Sequence, residues 1–413
     1  MIGKQNSLRT DARHSFTESP VSMLASGLQG LVIPPPMMTR LRVFLLTNII
    51  APYRLPIFEA LAQEWDLTVY FCQAKTANRQ WQTSLRGYTF PHVVLPHRII
   101  RIGSVASIVL NPDLPGRLAK QVYDVYIAGE NPQNALSVLS VLLAAKLRRR
   151  PFICWSGHIE GEREFATSGS LGHLLIETYR RIVYRNADSF VAYGTQATNF
   201  LVRRGVLPER IVTGVQVVPR DQTPSVKVSK AEMGFEGKKV ILSVSYLVAR
   251  KGLDVLIKAF RRMEREDTVL VIAGVGDQED YLKRLASGAN NIQFPGYIEG
   301  ALKAKYYSVA DIFVLPTLHD PWGLVVNEAM AYGLPIVVTD RAGCAPDLVS
   351  DNGFIVPAGD VDALQQALEQ LLDDEELRKE MGDKSRQRIQ PYDVAYAQQT
   401  FTRAIRLALE CRQ

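Results

Sequence analysis

The sequence predicts an α/β protein with two domains, each built around a doubly wound parallel sheet. Strand and helix patterns alternate along most of the chain from Leu41 onward, and 413 residues are too many for one hydrophobic core. Helices cover both faces of such sheets, and ligands bind beyond the carboxyl ends of the strands. We therefore expect the functional residues at strand ends.

Two alternating series define the predicted domains. The first domain is expected at 41–220 and the second at 240–391, after a linker at 221–239 that carries Pro and Lys residues. In the first domain, one helix is predicted at 55–63 and others between the later strands. Apolar runs predict the strands of this domain at 41–47, 67–71, 93–95, 125–127, 151–154 and 189–192.

Residues 1–40 differ from the rest of the chain. Ser, Thr and Pro occur there without periodicity, which is typical of a disordered extension. No continuous apolar segment of the secretory type is present. Met37 or Met38 could open the functional chain.

Composition and charge narrow the class of partner. The chain is 47% hydrophobic and 22% charged, as in ordinary globular proteins, with a net charge of +6. This mild excess of positive charge suits anionic partners such as nucleotide sugars or a phospholipid surface. Nucleic acid is not an expected partner, because zinc-finger spacing, a basic helix and interleaved aromatic and basic residues are all missing.

The cysteines and the apolar runs indicate the cellular compartment in which we expect the protein. Cys72, Cys154, Cys344 and Cys411 have neither metal nor redox spacing, so a reduced cytoplasmic chain with buried thiols is expected. The apolar run 135–145 is shorter than the roughly 20 residues of a membrane span and predicts a core helix. Basic residues at 98, 101 and 148–150 could contact an anionic membrane at the inner face of the plasma membrane, although such charges are ordinarily only solvated.

The segment 316–347 carries the most specific pattern. Asp320 and Glu328 enclose seven residues that include Gly323-Leu324, at the predicted start of a helix. Unpaired amides and the positive end of the helix dipole suit a phosphate there, and a nearby carboxylate can accept sugar hydroxyls. These residues also allow a simpler interpretation. Asp320 could cap the helix, and Glu328 could be a solvated acid.

This segment resembles the donor site of retaining glycosyltransferases of glycosyltransferase family 4, in which two Glu residues flank seven others. Asp320 replaces the first Glu, Trp322 replaces the usual Phe, and Glu328 matches the second Glu. The resemblance implies that Asp320 binds hydroxyls of the donor sugar and Glu328 binds the ribose. It also implies that the amides of Gly323 and Leu324 bind the diphosphate, beside Trp322.

The stretch 240–260 resembles the strand, basic loop and helix that open the second domain in this family. An Arg that binds diphosphate there is Tyr246 here, whereas Lys251 and Gly252 are kept. The resemblance implies that Lys251 is the phosphate cation. Arg250 is a candidate donor contact, and whether it replaces the missing guanidinium is open. Solvated loop charges are the alternative.

Two further segments of the second domain lie beside the nucleotide if the resemblance holds. Gly274 and Gly276 follow the strand pattern at 268–273, although a tight turn would need the same glycines. Tyr297 follows the next strand, and its backbone is a candidate neighbour of the base.

The first domain is expected to hold the acceptor. His158 follows the strand at 151–154, and part of the family has a His near the reacting sugar, but a lone His is more often structural. Glu130 and the stretch 194–196 occupy similar strand ends. Arg54 lies between Pro52 and Pro56 and could reach an anionic acceptor or the donor phosphate, with a surface Arg in a rigid turn as the favoured alternative.

The resemblance implies the GT-B fold, with the helical pattern from 392 onward packing back on the first domain. It implies a retaining glycosyltransferase that moves a sugar from a nucleoside-diphosphate sugar to a hydroxyl of a saccharide or lipid-linked acceptor, in cell-surface polysaccharide or glycolipid biosynthesis. No Asp-x-Asp motif follows a predicted strand, so we expect neither an essential metal nor another cofactor. A nucleotide-sugar epimerase and a non-catalytic nucleotide-sugar-binding protein are the alternatives.

Overall fold

The computed structural model describes most of the chain after residue 39. The predicted extension at 1–40 lies outside the described residues except for Arg40, and so does part of the predicted linker, 221–225. The described ranges are 40–76, 84–102, 106–161, 170–214, 216–219 and 226–412.

The first domain has a seven-stranded parallel sheet in the order β3-β2-β1-β6-β7-β8-β9. Along β1, Val43 and Leu45 join one hydrophobic core while Phe44 and Leu46 join the other, so both faces are covered. The strands are β1 (Arg42–Ile49), β2 (Asp66–Gln73), β3 (His92–Val94), β6 (Val125–Gly129), β7 (Phe152–Ser156), β8 (Ser189–Ala192) and β9 (Ile211–Thr213). A separate antiparallel ribbon is formed by β4 (Arg98–Ile102) and β5 (Ala106–Leu110).

Helices from both ends of the chain cover the first sheet. The last helix packs on α1 and on the strands β8 and β9, and it buries Ala397, Phe401 and Ile405 in one of the two cores. The helices are α1 (Leu55–Glu64), α2 (Leu114–Lys120), α3 (Ala135–Leu147), α4 (Ser170–Asn186), α5 (Thr195–Arg203) and α13 (Val394–Glu410).

The second domain has a six-stranded parallel sheet in the order β12-β11-β10-β13-β14-β15. Its strands are β10 (Lys239–Val244), β11 (Thr268–Ala273), β12 (Ile292–Gly296), β13 (Ile312–Leu315), β14 (Ile336–Thr339) and β15 (Gly353–Val356). Its helices are α6 (Leu253–Arg262), α7 (Glu279–Leu285), α8 (Gly300–Val309), α9 (Leu324–Ala331), α10 (Ala345–Leu348), α11 (Val361–Asp373) and α12 (Glu375–Ile389). The predicted α/β class with two parallel-sheet domains is confirmed.

Each sheet reverses its winding direction at one place. In the first sheet β1 lies beside β6, and in the second β10 lies beside β13. The loops after such paired strands turn to opposite faces of the sheet and leave a crevice between them. This topology brings the loop at 245–252 next to the loop at 316–323.

The predicted core helix is confirmed for one of its sides, and the prediction of buried thiols is wrong for one cysteine. Helix α3 is buried on one side only, since Leu136, Leu143 and Leu147 are exposed, with 75% of Leu147 accessible. The inner side of α3 packs on the sheet, whereas no element among the described residues packs over the exposed leucines of its outer side. Cys411 is exposed, while the other three cysteines are buried. Among the described helices, none combines the length and apolarity that a membrane crossing requires.

Candidate functional site

A cavity of 1410 Å³ lies at the carboxyl ends of both sheets. Its walls come from loops that follow β1, β6 and β7 in the first domain and β10 and β13 in the second. Predicted site residues that line it are Arg54, Glu130, His158, Arg250, Lys251, Gly274, Tyr297, Asp320, Trp322, Gly323, Leu324 and Glu328. One cleft therefore contains almost all of the candidates.

The start of α9 opens into this cleft. Gly323 has φ +97°, a left-handed conformation that only glycine adopts readily, and a Cβ there would lie 2.7 Å from a methyl of Leu315. The chain thus turns sharply from the loop into the helix at Leu324. Since first-turn amides have no intrahelical acceptors, Gly323, Leu324 and Val325 bring hydrogen-bond donors and the positive helix end to the cavity wall.

Lys251 and Asp320 form a buried ion pair beside this helix start. Lys251 Nζ donates to Asp320 Oδ2, and the two side chains are only 9% and 13% exposed. Burial disfavours the charged carboxylate, but the charge and hydrogen bond of Lys251 outweigh it and lower the pKa of Asp320. Asp320 therefore already has a cation as partner, and its Oδ1 also accepts from the amide of Trp322 at 3.3 Å.

A close approach of two loops creates this pair. Gly252, with φ +63°, lies so near the carbonyl oxygen of Pro316 that a Cβ would clash with it. Arg250 strengthens the junction, because its Nη1 donates to the carbonyl oxygen of His319 at 3.0 Å and its own carbonyl accepts from Leu318 at 2.8 Å. The exposed Arg250 and the cleft residue Tyr246 both line the cavity.

Glu328 is held from the neighbouring helix α8. Its carboxylate accepts from Lys303 Nζ at 2.7 Å and from the hydroxyl of Tyr307 at 2.9 Å, and its side chain is 13% exposed. The alternative of a solvated acid is therefore wrong. Lys303 and Tyr307 were not predicted. Their spacing of four residues on one helix face is the only local signal, and it does not identify the partner.

The two glycines after β11 have a structural reason for being glycine. A Cβ on Gly274 would clash with the carbonyl oxygen of Ser245, and one on Gly276 with that of Leu247. They let this loop pack closely on the loop that carries Lys251. Gly276 is not among the described residues that line the cleft, so its predicted donor contact is corrected to a packing role.

Trp322 also belongs to the packing around the site. It is 3% exposed within a core of the second domain, and its indole N–H donates to Asn327 Oδ1 at 2.8 Å. Asn327 in turn donates to the carbonyl of Gln216 at 3.3 Å. Most of the indole is thus enclosed by protein, while Trp322 also lines the cleft, and its role as a donor contact stays a prediction.

Tyr297, in contrast, is 38% exposed at the cleft. Burial of its hydroxyl, with the negative charge of Glu299 nearby, raises the pKa of Tyr297 to about 12. It remains an uncharged phenol at neutral pH.

On the first-domain side, His158 and Glu130 lie together. His158 Nε2 is 3.6 Å from Glu130 Oε1, and the Glu130 side chain is completely buried. Arg180 Nε donates to Glu130 Oε1 at 2.9 Å, and the Tyr184 hydroxyl donates to Oε2 at 2.7 Å. Glu130 therefore faces protein donors, and direct contact of its carboxylate with an acceptor is not what this geometry favours.

Arg54 is buried, so the alternative of a surface Arg is wrong. Its guanidinium donates to Thr47 Oγ1 at 3.0 Å and to the Tyr193 hydroxyl at 2.6 Å, and it lies 4.5 Å from the ring of Trp155. These contacts fasten the loop after β1 to the floor of the cleft. They leave the guanidinium engaged with protein groups.

The strand end at 194–196 joins the two domains. Asp347 accepts from the amide of Thr195 at 3.0 Å and from its hydroxyl at 2.7 Å, so it caps α5 from the other domain. Gln196 donates to the carbonyls of Asp340 and Ala342 at 3.1 and 3.2 Å. This contact was not predicted from sequence. Within the described ranges, no group of three or more His, Cys, Asp or Glu side chains could hold a metal ion.

Comparison with known proteins agrees with this geometry. Residues 227–388 match the family described as "Glycosyl transferases group 1". The match includes the loops that carry Lys251, Asp320 and Glu328.

Relatives and solved structures extend the likeness beyond this domain. A phosphatidyl-myo-inositol mannosyltransferase of Mycolicibacterium smegmatis is 27% identical over 73% of this chain and 79% of its own length. A GDP-mannose-dependent monoacylated alpha-(1-6)-phosphatidylinositol monomannoside mannosyltransferase of Corynebacterium glutamicum is 33% identical over 44% of this chain and 51% of its own. Alignments with two further relatives span 37% and 50% of those proteins, so the chain matches about half the length of several curated relatives.

A solved structure of Anabaena Alr3699/HepE in complex with UDP has a TM-score of 0.71 at 17% identity, and it covers 88% of this chain and 98% of its own. At this identity the likeness concerns the fold. The two domains have the GT-B fold.

Proposed function

We propose that this protein is a retaining glycosyltransferase of family 4 that transfers a sugar from a nucleoside diphosphate to a hydroxyl group. One observation carries the proposal: Lys251, Asp320 and the first turn of α9 meet where the second sheet reverses its winding. A helix start and a buried ammonium side by side suit a diphosphate, because the amides and the cation both favour negative charge. The group 1 match over 227–388 supports the same activity.

The donor is proposed to lie along the second-domain wall. The diphosphate contacts the amides of Gly323 and Leu324 and the ammonium of Lys251. Glu328 accepts hydroxyls of the ribose while the hydrogen bond from Lys303 orients its carboxylate. Asp320 accepts sugar hydroxyls with the oxygen that is not bonded to Lys251. Arg250 and Tyr297 border this path at the outer edge and the base end.

Transfer with retention places the acceptor on the same face of the sugar as the leaving group. The bond between the anomeric carbon and the diphosphate oxygen breaks, and a bond to the acceptor oxygen forms on that face. The acceptor proton moves to an oxygen of the departing diphosphate. Lys251 and the amides of α9 stabilise the charge that develops there, so no carboxylate nucleophile or metal is required. His158 orients a hydroxyl from the opposite wall.

The acceptor is proposed to be lipid-linked or a saccharide at a membrane surface. Both mannosyltransferase relatives have names that refer to phosphatidylinositol. The first domain also has an exposed apolar and basic surface, which we call the outer face. Helix α3 packs against both β5 and α4, and β5 pairs with β4, so these four elements are neighbours in the fold. The outer face comprises Ile99, Ile100, Leu136, Leu143, Leu147, Leu174, Leu175 and Ile182 with Arg98, Arg101, Arg149, Arg181 and Arg185.

Such a surface suits the cytoplasmic leaflet of a membrane. Apolar side chains can enter the acyl boundary while arginines meet anionic headgroups, and the two effects add. We therefore propose a peripheral protein that binds an anionic membrane through the outer face and takes its acceptor there.

The activity is tested with a panel of radiolabelled nucleotide sugars and a membrane extract as acceptor source. Wild type is expected to move label into lipid or polysaccharide, and Glu328→Ala is expected to lose at least about tenfold in rate through lost ribose contacts. Glu376→Ala, an exposed helix acid far from the cleft, is the matched control and keeps its rate.

Two results would contradict the proposal. Release of a free epimerised nucleotide sugar without an acceptor would indicate an epimerase. Tight nucleotide binding without turnover across the whole panel would indicate a binding protein. Full activity of Glu328→Ala would show that the donor site is wrongly assigned.

A further inference from the structure

A completely buried carboxylate lies at the first-domain wall of the cleft. Glu130 follows β6 at the strand end beside the winding reversal of the first sheet, and none of its side chain is exposed. Burying a charged carboxylate is costly unless donors and cations surround it. The structure supplies two donors from helix α4 and the imidazole of His158 after β7.

Three groups converge on this carboxylate. Arg180 and Tyr184 of α4 donate to Oε1 and Oε2, at 2.9 and 2.7 Å. His158, after β7, directs Nε2 toward Oε1 at 3.6 Å. Burial opposes ionisation, yet the charges of His158 and Arg180 and the hydrogen bonds together lower the pKa of Glu130. Glu130 therefore remains an anion across the neutral pH range.

Within this cluster, His158 is placed to contact both Glu130 and a molecule in the cleft. It lines the cleft, and its ring lies 6.0 Å from that of Phe200 in α5. An anion beside Nε2 favours the form of imidazole that carries its proton on that nitrogen. In the neutral ring, Nδ1 is then the hydrogen-bond acceptor.

We infer that Glu130 is a positioning residue: it fixes the orientation and proton position of His158, so that Nδ1 accepts a hydrogen bond from a hydroxyl of a substrate in the cleft. This inference rests on the proposed transferase function. Folding alone does not require charged groups at this place, because apolar side chains of similar volume would pack there without the cost of desolvating charges. The inference therefore gives the buried cluster a role in function.

Other titratable groups surround Glu130 and His158 and contribute to the electrostatic environment of both. From β7 comes the buried thiol of Cys154, and from α4 come Tyr179 and Glu177 besides the two donors. Arg204, the residue after α5, lies over the ring of Phe200, and its Nη2 is 3.6 Å from Glu177 Oε1. Burial raises the pKa values of Cys154 and Tyr179, so both stay neutral. Among the described side chains, Glu130 is the carboxylate paired with His158, at 3.6 Å.

The test compares wild type, Glu130→Gln, His158→Asn and the double variant. Because Gln is neutral, the midpoint of the His158 titration, followed by NMR of ¹³C-labelled histidine without substrate, is expected to fall by about one pH unit. The acidic limb of kcat/KM should move to lower pH in parallel, while the maximal rate falls roughly tenfold as the ring loses its orientation. In the His158→Asn background, Glu130→Gln should have no further effect on the rate.

The outcomes separate this inference from the proposed function. An unchanged His158 midpoint, or rate losses that multiply in the double variant, would overturn the positioning role even if wild type transfers sugar. A wild type without transfer would sink the proposed function, while the NMR midpoint would still report on the pair. Glu376→Gln controls for loss of a charge. If Glu130→Gln does not fold, Glu130→Asp is expected to shift the midpoint in the same direction by a smaller amount.

Discussion

Lys251 and Asp320, 69 positions apart in the chain, form a buried ion pair that joins the two loops at the winding reversal of the second sheet. A cation presented with a partner carboxylate can meet a diphosphate without being an isolated buried charge in the unliganded protein. Asp320 thus has two tasks in our proposal. It holds Lys251 in place, and it accepts from the donor sugar.

Removal of one partner of this pair should cost more stability than removal of both. Lys251→Met leaves Asp320 buried beside no counter-charge, and we expect a loss of about 3 kcal/mol in the free energy of unfolding. The double change to Met and Asn should lose clearly less than the sum of the two single changes. Urea denaturation of the four proteins measures this coupling. Additive losses would show that the pair is not an energetic unit.

The pair also makes stability depend on pH. The pKa of Asp320 is lowered in the folded protein from an ordinary value of 3.8. Its contribution to the free energy of unfolding is therefore present above pH 3.8 and is lost as pH falls through the pKa of the folded state. Asp320→Asn should therefore flatten the fall in unfolding free energy below about pH 4. Denaturation curves from pH 3 to 7 for both proteins test this, and parallel curves would contradict it.

Lys303 should govern nucleotide affinity through Glu328. Lys303→Met removes the donor at 2.7 Å and leaves a largely buried carboxylate with the Tyr307 hydroxyl alone, so the carboxylate loses orientation and charge balance. We expect UDP or GDP to bind roughly tenfold more weakly by calorimetry. Lys305→Met, an exposed lysine on the same helix, is the control and should bind as wild type does.

Gly194 should be intolerant of a side chain because of the contact between domains. A Cβ there would lie 2.6 Å from Asp347 Oδ2 and would clash with the ring of Trp322. We expect Gly194→Ala to lower the unfolding free energy by about 1–3 kcal/mol. Gly116→Ala is the opposite case, since Gly116 lies in α2 with open space around it and Ala favours a helix by about 0.5–1 kcal/mol. Thermal unfolding distinguishes the two.

Membrane binding should depend on the outer face. Leu143→Glu combined with Leu147→Glu places two acids among exposed leucines and arginines, and we expect most binding to anionic phospholipid vesicles to disappear. Leu302→Glu, at a site of the second domain that is 45% exposed, should leave binding unchanged. Co-sedimentation at two salt concentrations measures both. Equal loss for the control would locate membrane contact elsewhere.

A chelator should leave the reaction rate unchanged. We propose that Lys251 and the start of α9 supply the charge stabilisation that a divalent ion gives in other transferases. Excess EDTA in a transfer assay with purified protein is expected to keep the rate within about twofold, and added Mg²⁺ should not raise it. A rate that disappears with EDTA and returns with Mg²⁺ would contradict the metal-independent mechanism.

The sequence anticipated the parts of the site that depend on neighbouring residues. Gly323 needs a left-handed turn, α9 begins at the next residue, and the strand after Pro335 is buried, all of which are local properties of one segment. Asp320 was identified from this segment and Lys251 from the resemblance to a known family, but their pairing was not predicted. The ribbon of β4 and β5 was missed because the Arg and Ile residues of β4 do not alternate with a period of two and several of them are exposed.

By itself, the sequence determined the α/β class, the two domains and the helix start that faces the cleft, because strand and helix periodicity and turn-forming glycines act over a few residues. The tertiary structure alone decided which charged side chains are neutralised and which residues are their partners. Lys303 reaches Glu328, Arg180 reaches Glu130, and Asp347 caps α5 only because sheet topology brings distant segments into contact. A buried charge is stable only beside its partner, and no local pattern names a partner that lies on another element.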